Sequence, residues 1–236
     1  DSTDQTKLNV IVTISNSGVE KTKKFTFGGF KKPTDPNDIL NSVISSFNLV
    51  EKADISNVLA SSITTEEELT KLLDITRYAP TAGNSQGMYY VVIRDPEKIK
   101  AIADAVADWM EEEIAAGSEN KRYFTTVLRA YRDRGQDIIA RNAPCLIVAH
   151  TRRLNTTGVS NAEQCWGYAE LFAPTLGLGT TIAGFIQSCG IAGYKPLLDL
   201  VDLPAKYKMV GCLMVGYPKY KFRRMPERQH LKVVFE

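Results

Sequence analysis

Residues Cys145-Leu146-Ile147-Val148-Ala149 run without a polar interruption and are set off upstream by Asn142-Ala143-Pro144. A strand with one wet face alternates apolar and polar positions, so an unbroken run through His150 reads as a central strand covered on both faces. Met209 to Val215 reads as a second core strand, the last one, and Met88 to Ile93 as a third. The fold therefore needs packing layers above and below its sheet.

Helical patterns supply the cover. Thr64-Thr65-Glu66-Glu67-Glu68 is a capping pattern with acidic residues in the first turn, and the helix it opens is read from Glu66 to Tyr78, with Leu69, Leu72 and Leu73 on its apolar face. Asp95-Pro96 starts another, on which Ile99, Ile102, Ala103, Val106 and Trp109-Met110 recur at helical spacing; Trp109 reads as a core or interface residue. Residues 111–136 mix Glu111-Glu112-Glu113 with Lys121, Arg122, Arg129, Arg132 and Arg134, the pattern of a solvated helical excursion. From Asn161 to Leu176 apolar residues nearly encircle a helix, as in a buried one; Pro174 kinks it and Gly177 ends it. A shorter helix spans about Tyr194 to Leu200, and Leu231 to Phe235 reads as a terminal strand with no evident neighbour in its own chain.

Upstream, residues 7–15 and 20–27 are β-rich and flank the turn signal Asn16-Ser17-Gly18, predicting a hairpin. A helix capped by Asn37 or Asp38 follows. Residues 1–50 then form a hairpin-plus-helix accessory module and residues 51–236 the main domain. Lys21, Lys23, Lys24, Lys31 and Lys32 fit a solvated face of that module.

With 44% hydrophobic and 24% charged residues the 236-residue chain has globular composition, and a net charge of +2 advertises neither nucleic acid nor an anionic membrane as partner. No apolar run approaches a membrane span, and Asp1-Ser2-Thr3-Asp4 is unlike a signal peptide. Cys145, Cys165, Cys189 and Cys212 form no C-x-x-C pair, and His150 and His230 lie at no metal-ligand spacing from them, so no metal site is expected. Cys145 and Cys212 read as core residues of a reduced, cytoplasmic protein.

Chemistry concentrates in Arg77-Tyr78-Ala79-Pro80-Thr81-Ala82-Gly83-Asn84-Ser85-Gln86. Pro80 stops the helix, Thr81 to Gly83 leave backbone amides bare, and the Asn84 and Gln86 amides both donate and accept, which suits the edge of a planar heteroaromatic ring. An ordinary helix–strand connector is the plain alternative.

This loop, with its following Tyr/Val/Ile strand, resembles the nitroreductase family of FMN-dependent oxidoreductases. The likeness continues through Asn142 to Ala149, through Leu176-Gly177-Leu178-Gly179-Thr180-Thr181-Ile182-Ala183-Gly184-Phe185, and through Val215-Gly216-Tyr217-Pro218 with the basic run Lys219 to Arg228, in order over about residues 64–236. It implies an α+β, three-layer α-β-α fold around a mixed, mainly antiparallel sheet. It also implies FMN as cofactor, an electron donor such as NAD(P)H, a small acceptor such as a nitroaromatic or quinone, ping-pong turnover and a homodimer.

Position by position, the resemblance lays Pro80 and Thr81 along the flavin, Asn84 near its reactive nitrogen and Gln86 at the pyrimidine edge or ribityl chain. It brings the backbone of Ile182, Ala183 and Gly184 to that nitrogen, and Lys221, Arg223 and Arg224 to the phosphate. No catalytic side chain is implied, because the flavin performs the chemistry. In the family the 111–136 insertion covers the flavin, a role open to Tyr123, Phe124 and Tyr131. One departure stands out: the family's N-terminal Arg-Arg-Ser-x-Arg motif is missing, and no arginine precedes Arg77. A redox-inactive binding or regulatory module, and a flavin enzyme of another reaction type, therefore stay beside the oxidoreductase reading.

Overall fold

The computed structural model describes residues 7–16, 19–28, 59–60, 64–220 and 229–235. The chain divides into two compact units, residues 1–41 and 42–236, where the sequence suggests a boundary at residue 50.

In the first unit β1 (Lys7–Asn16) and β2 (Val19–Gly28) form the expected hairpin. They pair antiparallel from Lys7↔Gly28 to Asn16↔Val19, leaving two residues for the connection. The expected helix to about Phe47 lies outside the described residues.

The second unit is built on β7 (Tyr207–Pro218), which pairs with β3 (Leu59–Ala60), β5 (Cys145–Arg152) and β6 (Gly179–Ile182), while β4 (Tyr89–Ile93) adds to β5 at the sheet edge. The expected mainly antiparallel sheet is there, and among the described residues every pairing is antiparallel. Cys145 to Ala149 have no exposed surface, as their unbroken apolar run requires. On one face Leu146, Val148, Cys212 and Met214 join a core with Ile102, Phe124, Ile186 and Leu197. On the other, Gly211 backs onto Trp166: a β-carbon there would stand 2.6 Å from the indole nitrogen, so glycine is what lets the helix approach.

Helix α1 (Glu66–Asp74) has the full capping box, with the Glu68 amide donating to Thr65 Oγ1 and the Thr65 amide to Glu68 Oε2 at 2.8 Å. It tightens into a 3₁₀ turn over Ile75–Tyr78 rather than staying α-helical to Tyr78. Helix α2 (Pro96–Ala115) is capped by Asp95 and buries the predicted face. The expected solvated helical excursion comprises the end of α2, then α3 (Lys121–Leu128), which buries only Phe124 and Val127, and a π-helical turn, Arg129–Asp133. Helix α4 (Gly158–Phe172) passes into a 3₁₀ turn at Ala173 and ends on Gly177 at φ 74°, as Pro174 and Gly177 require. Helix α5 (Gly184–Ile191) has no counterpart in the sequence reading, and α6 (Lys195–Leu200) falls where expected. Residues 231–235 form no strand, and Leu231, Val234 and Phe235 stand in solvent.

Candidate functional site

The loop after α1 is held in an unusual shape. Gly83, Asn84 and Gln86 all take left-handed backbone angles, φ 61°, 51° and 46°. Asparagine tolerates that region, but glutamine is rarely found there and stays only where its surroundings over-determine it. They do. The Asn84 amide donates to the Thr81 carbonyl at 2.8 Å, and the Gln86 amide to Thr81 Oγ1 at 3.1 Å. Gln86 Nε2 donates to Asn84 Oδ1 at 3.3 Å, so the two exposed side-chain amides sit together. From across the fold, buried Asn161 on α4 accepts the Ala82 amide through Oδ1 at 3.0 Å. Sequence reasoning missed Asn161; its one signal was a polar residue opening a helix read as buried.

A second feature lies where β6 meets α5. Ala183 is fully buried and its amide donates to the Cys212 carbonyl at 2.9 Å, so it is spent on the sheet. Gly184 opens α5. The first amides of a helix have no partner within it, and no side chain caps these. A β-carbon at Gly184 would meet nothing within 4 Å, and Ile182 is 43% exposed, so a bare peptide edge faces open space.

That edge borders a cavity of about 470 Å³ whose other walls include Trp109, Tyr123, Phe124, Phe185 and Arg141. The Tyr123 and Phe185 rings lie 5.6 Å apart and those of Trp109 and Phe124 5.5 Å apart, an apolar wall from α2, α3 and α5. Trp109, read as core, is both buried and part of this wall. Tyr131 is not in it; its hydroxyl donates to Asp104 at 2.9 Å elsewhere.

Arg141, which sequence reasoning also missed, is presented by a strained turn. Arg141 and Asn142 have φ 56° and 51°. Asp137 clamps them, accepting the amides of Ile139, Ala140 and Asn142 at 3.1, 2.8 and 2.8 Å.

Of the predicted site residues, Thr81, Asn84 and Gln86 are brought together in one loop beside exposed Pro80. Ile182 and Gly184 are brought together at the cavity, which no residue of the loop lines. Lys221, Arg223 and Arg224 lie outside the described residues.

The buried thiols are not poised as nucleophiles. Burial pushes the Cys145 thiol up to about 11 and the Cys189 thiol up to about 12, leaving both protonated at neutral pH. His150 stacks on Tyr89, ring centroids 5.6 Å apart, and meets Tyr207 edge-on; burial lowers its pKa.

The nitroreductase family model matches residues 54–217. Among solved structures, a nitroreductase from Bacteroides fragilis with bound FMN superposes with TM-score 0.61 at 14% identity, over 82% of this chain and 98% of that one. A nitroreductase with bound FMN from Desulfitobacterium hafniense gives 0.61 at 15% identity over the same shares. Iodotyrosine deiodinase bound to FMN and 3-iodo-L-tyrosine gives 0.56 at 16% identity, over 81% and 98%. At such identities the likeness speaks for the fold. None of the curated proteins matches in sequence.

Proposed function

Since the chain belongs to the nitroreductase family, we propose that it is an FMN-dependent oxidoreductase passing electrons from NAD(P)H, or another small donor, to a small oxidised acceptor such as a nitroaromatic or quinone. The observation that carries this reading is the uncapped backbone edge at Gly184 opening onto an aromatic-walled cavity. A flat ring is approached by backbone only where no side chain intervenes, and the empty space around Gly184 meets that condition. FMN, when bound, supplies the two-electron chemistry of a ping-pong cycle.

The chain's own residues bind and orient. Asn84 and Gln86 would hold the ring edge through their amides, with Pro80 and Thr81 beside them, and the Gly184 amide would donate to the ring; Ile182 would flank it, while Ala183 fixes the turn through the sheet. Lys221, Arg223 and Arg224 neutralise the phosphate. Trp109, Tyr123 and Phe185 exclude water from the acceptor side. Among the described residues no cavity is lined by both the loop and the Gly184 edge, which suits a site built by two copies, the loop of one facing the edge of the other. Exposed Leu231, Val234 and Phe235 and the open edge of β4 support such a homodimer. Among the described residues no helix is long and apolar enough to cross a membrane, and the four cysteines are buried and unbridged; the latter supports a reducing, cytoplasmic setting.

One observation favours a second reading. With no arginine before Arg77 the phosphate loses the cations of the family motif, which suits a redox-inactive member of the fold. An anaerobic titration separates the two. FMN-loaded protein should bleach with NADH or NADPH and recover its colour with menadione or a nitrobenzoate. Protein that cannot be loaded, or holds flavin that no donor bleaches, refutes the enzyme.

A further inference from the structure

The first unit lies outside residues 54–217, which the nitroreductase family model matches. Among the described residues its hairpin is a sheet of two strands, and the outer edge of β1 has no neighbour. A two-stranded hairpin alone is marginal in water, so a further strand on that edge would stabilise it. Register decides which backbone groups the edge offers. Asn16 and Val19 close a two-residue connection and form a hydrogen-bonded pair, and bonded and non-bonded pairs alternate from there. Val10, Val12 and Ile14 therefore bond to β2, while Asn9, Ile11, Thr13 and Ser15 carry their N–H and C=O groups on the outer edge.

The two strands differ in how each would meet a copy of itself. β2 holds Glu20, Lys21, Lys23 and Lys24, and lysines of this kind guard natural sheet edges against pairing. β1 has one charged residue, Lys7 at its start, and is unguarded. It is also self-complementary. Antiparallel pairing of two β1 strands about Ile11 sets Ile11 opposite Ile11, Val10 opposite Val12, Leu8 opposite Ile14 and Asn9 opposite Thr13. Apolar meets apolar, polar meets polar, and no like charges meet. The same register lets the outward backbone groups of Asn9, Ile11 and Thr13 bond across the new pair. Pairing of β2 with itself about Lys23 or Lys24 sets lysine against lysine.

We propose that two copies of this chain pair through the β1 edge, about a two-fold axis at Ile11, into one four-stranded sheet of order β2-β1-β1-β2. Both outer edges of that sheet are the lysine-bearing strand, so the assembly closes at two copies and does not extend.

The test is cysteine cross-linking of the full chain, whose four native cysteines are buried and do not compete. Pairing brings the two Ile11 α-carbons to about 5.5 Å, within disulfide reach. Lys24 sits beside Ile11 in the hairpin, so the two Lys24 α-carbons stay roughly 14 Å apart, three strand spacings. Under mild oxidation at micromolar protein, Ile11→Cys should form an intermolecular disulfide about a hundredfold faster than Lys24→Cys, because pairing raises the local thiol concentration to the millimolar range. Chains carrying Asn9→Cys should link to chains carrying Thr13→Cys faster than either links to itself, which fixes the register whether or not the Ile11 variant folds. Equal rates for Ile11→Cys and Lys24→Cys, or no preference of Asn9→Cys for Thr13→Cys, would overturn the proposal. An Ile11→Cys thiol that resists both alkylation and cross-linking would put another segment of the chain on this edge and overturn it equally.

Discussion

The Ala82 amide donates to Asn161 Oδ1 at 3.0 Å across 79 positions of sequence, fastening the candidate flavin loop to the buried helix behind it. Asn161 is 3% exposed and its own amide donates to Thr157 Oγ1, so the acceptor is held in place. Asn161→Ala should therefore cost about 1–2 kcal/mol of stability and speed hydrogen exchange at Ala82 and its neighbours. Exchange confined to wild-type rates would mean the loop is fixed by its internal bonds alone.

Asn84 separates two effects. Its φ of 51° penalises any β-carbon without an amide to compensate. Asn84→Gly should leave the fold as stable as wild type or more so, yet weaken FMN retention by about 1–3 kcal/mol through the lost side-chain hydrogen bond. Asn84→Ala should lose both. Equal retention in all three would remove Asn84 from the site.

Much of the sheet was legible because burial on both faces erases alternation, and Cys145 to Ala149 carry that mark openly. The loop was legible through Pro80 and its amides. Its left-handed angles were not, because they depend on Thr81 and on Asn161, whose partner is far along the chain. Helix α5 left little trace: Gly184 and Gly190 are poor helix formers, and packing of Ile186 and Cys189 in the core overrides that preference. Gly190 is small because Met209 lies against it. Leu231 to Phe235 has the composition of a strand, but a strand also needs an edge.

Acid should destabilise the fold through His150. Its folded pKa lies below the ordinary value near 6.5, so the unfolded chain takes up the proton first. Stability is full above that value and falls as pH drops from about 7 towards the folded pKa. Burial raises the Glu170 pKa, which gives the opposite slope on acidification. Glu68 and Asp104, both lowered, lose their contributions only at lower pH. In a Glu170→Gln background, urea unfolding between pH 7 and 5.5 should show the decline, and His150→Phe should flatten it. An unchanged slope in the double variant would assign the effect elsewhere.

Gly211→Ala should be among the costlier single-methyl changes in the core. The new β-carbon meets the Trp166 indole at 2.6 Å and Ala162 at 3.3 Å, both on α4. Overpacking of this kind costs about 1–3 kcal/mol. Gly190→Ala should cost less, because the flexible Met209 side chain can move aside. Chemical denaturation of the two variants checks the order.

In the proposed dimer the Asn84 loop of one copy and the Gly184 edge of another meet around a single flavin. A crystal structure of the FMN-loaded protein measures this directly. Ring density is expected within hydrogen-bond reach of the Gly184 amide of one protomer and the Asn84 side chain of its partner. Flavin density at any other place, or a loop and edge that stay apart in every pair of copies, would contradict it.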